Sequence, residues 1–303
     1  MNKIHIPVLL SQTIDSLNIK PNGFYIDCTL GDGGHSFEVI QKLSDTGTLL
    51  SIDCDLNAIE FVEEYYKDYL LKRKNWIIKK GNFRNIRELV KEINRKPNGI
   101  LIDLGISSRQ IEESKERGFS YMQEEEPLDM RMDSELNVTA KDLLNALSVK
   151  ELTFIFNKYG EERYSNLIAK HIKENISNIN TVGDLTRLIY KVMPAVNSNK
   201  NPSRRVFQAL RIVVNDELNS LKIALDESFE ILKENGRISV ISFHSLEDRI
   251  VKNYFLEKQG SGEGEILFKS HIAPTDDEKK QNPRSASAKL RTIIKKQQLD
   301  ERK

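Results

Sequence analysis

Residues 23–36 read GFYIDCTLGDGGHS, an apolar run that passes into a short glycine-rich segment. The run is rich in β-forming residues, and the overlapping segment HSFEVIQKLS (35–44) places Phe37, Ile40 and Leu43 at helical spacing. A strand that turns through glycines into a helix is the first half of a βαβ unit. This stretch therefore predicts a strand, a loop of the size that binds small ligands, and a helix of an α/β fold.

The same alternation of strand and helix continues on either side of a long interruption. Further apolar runs predict strands at residues 47–55, 75–83, 99–105 and 237–244, and helical spacing lies between them. GILIDLG (99–105) is nearly all apolar, which is typical of a parallel strand buried on both faces. The late runs EILFKS and LRTIIKK predict two closing strands. Strand–helix alternation with short loops indicates a parallel sheet with right-handed crossovers.

Between these two parts the strand signals stop. Residues 106–135 are acidic and irregular, and residues 139–195 carry helical spacing only. We therefore predict a discontinuous α/β domain of residues 1–108 and 204–303. A mainly helical insert of residues 109–203 interrupts it.

Composition limits the class of protein. The 303 residues are 39% hydrophobic and 30% charged, which is usual for a globular chain with one large or two smaller domains. No apolar run is long enough to span a bilayer, and the first residues lack a secretory signal. The two cysteines, Cys28 and Cys54, cannot build a disulfide framework. These features predict a cytoplasmic protein that does not engage a membrane.

Basic residues are concentrated in two segments. Residues 200–211 hold four basic and no acidic residues, and residues 279–303 hold nine basic and two acidic ones. Such segments can neutralise nucleic-acid phosphates. A solvated basic face or tail is the alternative interpretation, and charge alone favours that alternative.

Three acidic residues follow predicted strands. Asp27, Asp53 and Asp103 each come after buried-type apolar residues, where an acid is unusual. Open parallel sheets bind ligands at the carboxyl ends of their strands, so we expect these carboxylates to line one site.

The glycine loop is compatible with several ligands. Gly31 and Gly33 match the first two glycines of the dinucleotide fingerprint G-x-G-x-x-G, but Ser36 stands in the third position, and no phosphate-loop lysine follows. The five histidines are scattered, so no metal site is predicted. An acidic pocket disfavours a polyphosphate and favours a nucleoside that carries a positive charge, such as S-adenosylmethionine.

Several longer motifs resemble one family. They are HIPVLL, DCTLGDGGHS, DLGISS, RGFSY, PLDMRMD, YGEER, FQALRIVVNDEL, ISFHSLEDRIVK and NPRSASAKLR, in chain order. Together they resemble the MraW/RsmH family of S-adenosylmethionine-dependent methyltransferases, which methylate the N4 amine of one cytidine in small-subunit (16S) ribosomal RNA. The resemblance implies a class I, Rossmann-like methyltransferase sheet with an inserted helical domain that recognises the substrate. It also implies assembled or assembling small subunits as the partner.

The resemblance also implies a set of cofactor contacts, carried over onto the matching positions. These are Gly33, Gly34, His35, Asp53, Phe83, Asp103 and Gln110. Asp53 would receive the ribose hydroxyls, Phe83 would stack near the adenine, and Asp103 would face the cationic end of the ligand.

Catalysis and RNA binding are assigned to further residues. Methyl transfer requires acceptors that aim the cytidine amine, and the candidates are Asp103, Ser107, Ser108 and His244. The candidates for RNA contacts are Arg204, Arg205, Arg211, Arg284 and Arg291. Two other functions remain open from the sequence: a ribosome assembly factor that senses the cofactor without catalysis, and a methyltransferase for DNA or protein.

Overall fold

A computed structural model describes residues 7–112, 116–193 and 201–297. These residues form two compact units, one comprising the residues up to Ser107 and from Leu218 onward, the other Ser108–Glu217. Sequence reasoning placed the second boundary between residues 203 and 204. The difference arises because the helix Ser203–Val214 packs its apolar face against the helix Val149–Gly160 of the second unit.

The first unit is built around a seven-stranded sheet. Its strands are β1 (Phe24–Asp27), β2 (Thr48–Asp53), β3 (Trp76–Lys80), β4 (Gly99–Asp103), β5 (Arg237–Ser242), β6 (Gly264–Ile266) and β7 (Lys289–Lys295). Across the sheet the order is β3-β2-β1-β4-β5-β7-β6, and β7 runs antiparallel to both neighbours. The parallel pairing of β1 to β5 confirms the predicted Rossmann-like α/β sheet. The strand order reverses between β1 and β4, which is the usual place for a ligand.

Fourteen helices lie within the described residues. They are α1 (Leu10–Leu17), α2 (Gly34–Lys42), α3 (Leu56–Tyr65), α4 (Lys67–Lys72), α5 (Ile86–Leu89), α6 (Ser108–Glu112), α7 (Ala140–Ala146), α8 (Val149–Gly160), α9 (Ser165–Glu174), α10 (Val182–Val192), α11 (Ser203–Val214), α12 (Glu217–Ile231), α13 (Ser245–Gly260) and α14 (Asp276–Gln281). None of these helices is long and apolar enough to cross a membrane.

Alternate residues of the strands build a core on each face of the sheet. In β1, Phe24 and Ile26 join a cluster with Leu221 of α12 and Phe255 of α13. Tyr25 points the other way and joins a second cluster, which includes Val39 of α2 and Val62 of α3. The period of two in a strand explains this division, and both faces are covered as a parallel sheet requires.

Two local features differ from the sequence-based expectation. The helical spacing over residues 57–70 covers two helices, α3 and α4, which meet at Tyr66. Asn57 is of a residue type that often caps helices, but the Asp55 side chain caps α3 by accepting a hydrogen bond from the Asn57 backbone N–H. Asp55 is preferred because its oxygen reaches an N–H group that has no partner inside the helix.

The second unit consists mainly of helices α6 to α11. Its PLDMRMD segment (127–133) is an ordered loop held by Asn215. The Asn215 Nδ2 donates to the Met130 carbonyl at 2.7 Å, and its Oδ1 accepts from the Met132 N–H at 2.7 Å. Asp129 pairs with Arg131 inside the same loop at 2.7 Å. The motif therefore has a structural role within this unit.

A buried carboxylate ties the last strand to α13. Asp248 of α13, only 8% exposed, accepts from Lys289 Nζ at 2.9 Å and from Arg291 Nε at 2.7 Å. Both cations belong to β7, so this pairing fixes the antiparallel strand against the helix.

Replacing Asp248 by alanine should therefore destabilise the first unit. The change leaves two partly buried cations without their anion, and we expect the free energy of unfolding to fall by about 2 kcal/mol. Urea unfolding followed by Trp76 fluorescence measures this value. The control is Asp277→Ala, since Asp277 is 86% exposed in an ion pair with Lys280. An equal effect of the two substitutions would contradict the role assigned to Asp248.

Candidate functional site

The carboxyl ends of three adjacent strands bring three aspartates to one edge of the sheet. Asp27 ends β1, Asp53 ends β2 and Asp103 ends β4. The strands are neighbours in the order β2-β1-β4, so the structure brings these predicted residues together. No lysine or arginine in the described part of the chain forms an ion pair with any of the three.

Asp27 forms the buried floor of this edge. It is 1% exposed, and its Oδ2 accepts from Ser36 Oγ at 2.7 Å while its Oδ1 accepts from the Thr29 N–H at 3.1 Å. Thr29 in turn accepts a hydrogen bond from the Asp103 N–H at 2.7 Å through Oγ1. Asp27 therefore holds the loop after β1, helix α2 and the end of β4 in fixed positions.

Asp53 holds the glycine loop. Its Oδ2 accepts from the Gly31 N–H at 2.8 Å, and its Oδ1 accepts from the Asp55 N–H at 2.9 Å. Burial raises the pKa of Asp53 to about 6, although these backbone hydrogen bonds oppose the shift. Sequence reasoning assigned Asp53 to a ribose, and the structure adds that the same carboxylate fixes the loop.

Asp103 and His35 face each other. His35 Nδ1 of α2 lies 3.5 Å from Asp103 Oδ2, and Asp103 Oδ1 is buried with no hydrogen-bond partner among the described residues. Burial lowers the pKa of His35 to about 4, so the ring is neutral and supplies no counter-charge. Burial, with the charges of Asp27 and Glu247, raises the pKa of Asp103 well above its usual range.

The same effect acts on Asp27. Burial raises its pKa to about 7, and the charge of Asp53 adds to the shift while hydrogen bonds from Ser36 and Thr29 oppose it. Asp53 therefore repels Asp27, and Asp27 repels Asp103, in a poorly solvated place. A positively charged ligand would stabilise their ionised forms.

The two adjacent glycines are required by packing within the chain. A Cβ at Gly34 would lie 2.3 Å from Pro7 Cγ, and one at Gly33 would lie 3.0 Å from Val62 and Tyr66. A Cβ at Gly31 would meet no atom nearer than 3.8 Å, but its φ of 51° is in the left-handed region that favours glycine. The presence of glycine at positions 33 and 34 is therefore explained by packing within the chain as well as by the close approach of a ligand.

The remaining predicted cofactor residues, Phe83 and Gln110, and the catalytic candidates Ser107 and Ser108 have different surroundings. Phe83 begins a short 3₁₀ turn after β3, half-buried against the core. Ser107 lies in the first unit and donates to Asp32 at 3.0 Å. Gln110 is buried in α6 of the second unit. The side chain of Ser108 lies outside the described residues.

His244 begins α13. Its Nδ1 accepts from the Glu247 N–H at 3.3 Å, and its Nε2 lies 3.1 Å from Glu247 Oε1. The carboxylate of Glu247 also accepts from the N–H groups of Phe243 and His244. His244 is therefore the N-cap of α13, and its Nε2, although close to Glu247, is buried without a hydrogen bond among the described residues.

The basic residues differ in their exposure and in the ion pairs that they form. Arg204 and Arg284 are exposed, and Arg205 is exposed although it lies 3.8 Å from the buried Glu162. Arg211 pairs with Glu217 through two hydrogen bonds, of 2.7 and 2.9 Å. Arg291 pairs with Asp248, with 2.7 Å between Arg291 Nε and Asp248 Oδ1. A run of basic residues in the sequence does not show which of them are paired, because pairing depends on acidic residues in other parts of the fold. Lys200, in the same basic segment, lies outside the described residues.

Four residues of the site were not predicted from the sequence. Hydrogen bonds connect them to Asp27, directly or through one another, and they are Thr29, Ser36, Ser51 and Trp76. The available signal was the acid inside an apolar run followed closely by hydroxyl residues in DCTLGDGGHS, which indicates a satisfied buried carboxylate.

The site fits the methyl donor that the resemblance implies. Among the described residues, Asp103 Oδ1 has no hydrogen-bond partner and the three carboxyls have no basic partner, which suits a ligand with ammonium and sulfonium charges. They do not suit a phosphate group, which would add further negative charge.

Comparison with known sequences covers nearly the whole chain. Residues 2–296 match the MraW methylase family. The chain belongs to this family.

Curated relatives match this chain over almost their full length. The "Ribosomal RNA small subunit methyltransferase H" of Clostridium botulinum is 45% identical over 96% of this chain and 98% of that protein. Proteins of the same name from Clostridioides difficile and Fusobacterium nucleatum are 42% and 43% identical over 96% of this chain, and the match covers 98% and 97% of their lengths. Among solved structures, a putative rRNA-methylase from Clostridium thermocellum superposes with a TM-score of 0.49 at 12% identity, covering 97% of this chain and 99% of that one.

Proposed function

We propose that this chain transfers the methyl group of S-adenosylmethionine to the N4 amine of a cytidine in small-subunit (16S) ribosomal RNA. The observation that carries the chemistry is the acidic edge of Asp27, Asp53 and Asp103, where one buried carboxylate oxygen has no partner in the described parts of the chain. The acceptor follows from the family and from the names of relatives that match along almost their whole length.

Asp53, His35 and Asp103 are the residues that would hold the donor. Asp53 already accepts from the glycine loop and would share its carboxylate with the ribose hydroxyls. Asp103 would face the positive end of the donor, next to a neutral His35. When bound, the donor supplies an electrophilic methyl group on a positively charged sulfur.

The protein's own part in the reaction is to aim the amine and to exclude water. The cytidine amine is a poor nucleophile, and an acceptor for its N–H directs the lone pair away from the ring. Asp103 fits this role because its Oδ1 has no partner in the described chain, and Ser107 follows it on the same loop. Holding the groups in line supplies most of the rate enhancement expected here. The proton can leave after the methyl has arrived, so no general base is assigned.

We propose that the second unit recognises the RNA, since it carries the exposed Arg204 and Arg205 on α11. A paired base cannot enter a closed pocket, so the target cytidine must be unpaired or turned out of its stack. The partner is the small ribosomal subunit, assembled or assembling, and the proposed place of action is accordingly the cytoplasm.

Labelled methyl donor offered to small subunits, naked ribosomal RNA, DNA and protein tests the proposal directly. We expect label on one cytidine of the small subunit, mapped by mass spectrometry. Asp103→Asn should lower the rate about a hundredfold or more, because it removes a charge that acts at the reacting centre. The control is Asp15→Asn, an exposed acid on α1. Label on DNA or protein, or binding without transfer, would support the alternative functions instead.

RNA binding can be tested by charge reversal on α11. Arg204→Glu combined with Arg205→Gln avoids a second carboxylate beside the buried Glu162. We expect weaker RNA binding and a shallower dependence on salt, because each lost phosphate contact lowers the salt slope by about 1.

The matched control is Lys150→Glu with Lys170→Gln, which makes the same change in charge at exposed positions of the second unit. Filter binding and calorimetry measure RNA and donor affinity separately. Equal RNA affinity in the two double variants would show that Arg204 and Arg205 are ordinary solvated residues.

A further inference from the structure

A chain of buried hydrogen bonds connects the only tryptophan to Asp27. Trp76 Nε1 donates to Ser51 Oγ at 2.9 Å, Ser51 Oγ lies 2.7 Å from Ser36 Oγ, and Ser36 Oγ donates to Asp27 Oδ2 at 2.7 Å. The two serines are fully buried, and Trp76 is 5% exposed. The chain therefore crosses from β3 through β2 to α2 and ends at β1, beneath the proposed donor site.

The chemistry of the indole gives this hydrogen-bond chain a direction. An indole N–H can only donate, so it cannot accept the Ser51 hydroxyl proton. Within the described residues, Trp76 and Ser36 are the two side-chain partners of Ser51, which leaves Ser36 as the acceptor. Ser36 must then donate to Asp27 Oδ2. In the reverse direction the Ser51 proton would be buried without an acceptor, which is unfavourable.

The other oxygen of Asp27 is also surrounded by donors. Its Oδ1 accepts from the Thr29 N–H, and Thr29 Oγ1, which already accepts from the Asp103 N–H, lies 3.5 Å away as a further donor. All of these contacts satisfy an ionised carboxylate, since a protonated one would have to donate. The arrangement thus favours the anion at a place where burial disfavours it.

We propose that Trp76, Ser51 and Ser36 are positioning residues that hold Asp27 as the buried anion of the methyl-donor pocket. This anion makes the pocket prefer the positively charged donor to S-adenosylhomocysteine, its product, in which the sulfur is neutral. The inference rests on the proposed function. It adds to that function a reason why the pocket releases the product and binds a new molecule of methyl donor.

Several titratable groups face Asp27 and enter its pH dependence. They are Asp53 of β2, Asp103 of β4, the neighbouring Cys28 and, across Asp103, His35 of α2. The carboxyls interact by repulsion, so ionisation of Asp27 raises the pKa of Asp103. A bound positive charge relieves that repulsion, whereas the neutral product relieves less of it.

The test removes links of the chain one at a time. Ser36→Ala deletes the hydroxyl that donates to Asp27, and it should raise the pKa of Asp27 by about one unit. Near neutral pH the ratio of donor to product affinity should then fall about tenfold, and it should recover at higher pH as Asp27 ionises. Ser51→Ala leaves Ser36 in place and should act in the same direction with a smaller effect.

The matched control is Ser239→Ala in β5. Ser239 is equally buried and lies in a similar chain between Ser16 and Thr292, at 2.8 and 3.0 Å, but its chain does not reach a pocket carboxylate. We expect this variant to keep the wild-type affinity ratio at every pH.

The free protein supplies an independent readout. Because the chain contains one tryptophan, the indole N–H gives a single nuclear magnetic resonance signal. This signal should titrate with Asp27 in the wild type and lose that titration in Ser36→Ala and in Asp27→Asn.

Equal behaviour of Ser36→Ala and Ser239→Ala, or an affinity ratio in Ser36→Ala that does not depend on pH, would overturn the inference. Failure of the wild type to bind either ligand would instead contradict the proposed function.

Discussion

The structure of the first unit depends on one buried and two half-buried carboxylates at one edge of the sheet, which have no basic partner among the described residues. Asp27, Asp53 and Asp103 each end a strand, and each also fixes backbone or side-chain groups of the loops around it. Their hydrogen bonds satisfy some of the oxygens, but burial still raises the pKa of all three. Repulsion among these acids destabilises the protein without a ligand, and a bound positive charge relieves this repulsion. The binding preference therefore follows from the folding of the strands.

Much of the fold could be predicted from the sequence because its signals are local. Apolar runs and glycines located all seven strands, and helical spacing located the insert. Long-range pairing was not accessible in the same way. The return to the first unit comes after α11 because that helix packs on α8. Likewise Asp55 rather than Asn57 caps α3, since the choice depends on backbone geometry at the helix start.

The candidate site was predictable to a similar extent. The three aspartates could be grouped because parallel strands end at one edge. Arg211 and Arg291, by contrast, are paired with Glu217 and Asp248, which their charge alone did not indicate, and their role in RNA binding stays a prediction. His244 caps α13, and Gly34 leaves room for Pro7. The contacts of Arg291 and Gly34 could not be inferred from composition, because each joins segments far apart in the chain, whereas the contact of His244 with Glu247 is local. A family motif marks a position as important without saying whether folding or chemistry requires it.

We propose that the acidic edge binds a positive charge and loses protons when it does so. Calorimetric titration of S-adenosylmethionine in buffers of different ionisation enthalpy tests it most directly. Carboxyls with raised pKa hold protons near pH 6 to 7, and a bound cation lowers their pKa. Binding should therefore release protons, affinity should rise with pH across this range, and S-adenosylhomocysteine should release fewer protons. Donor binding with no net proton release, or with the same release as the product, would contradict this explanation of the site.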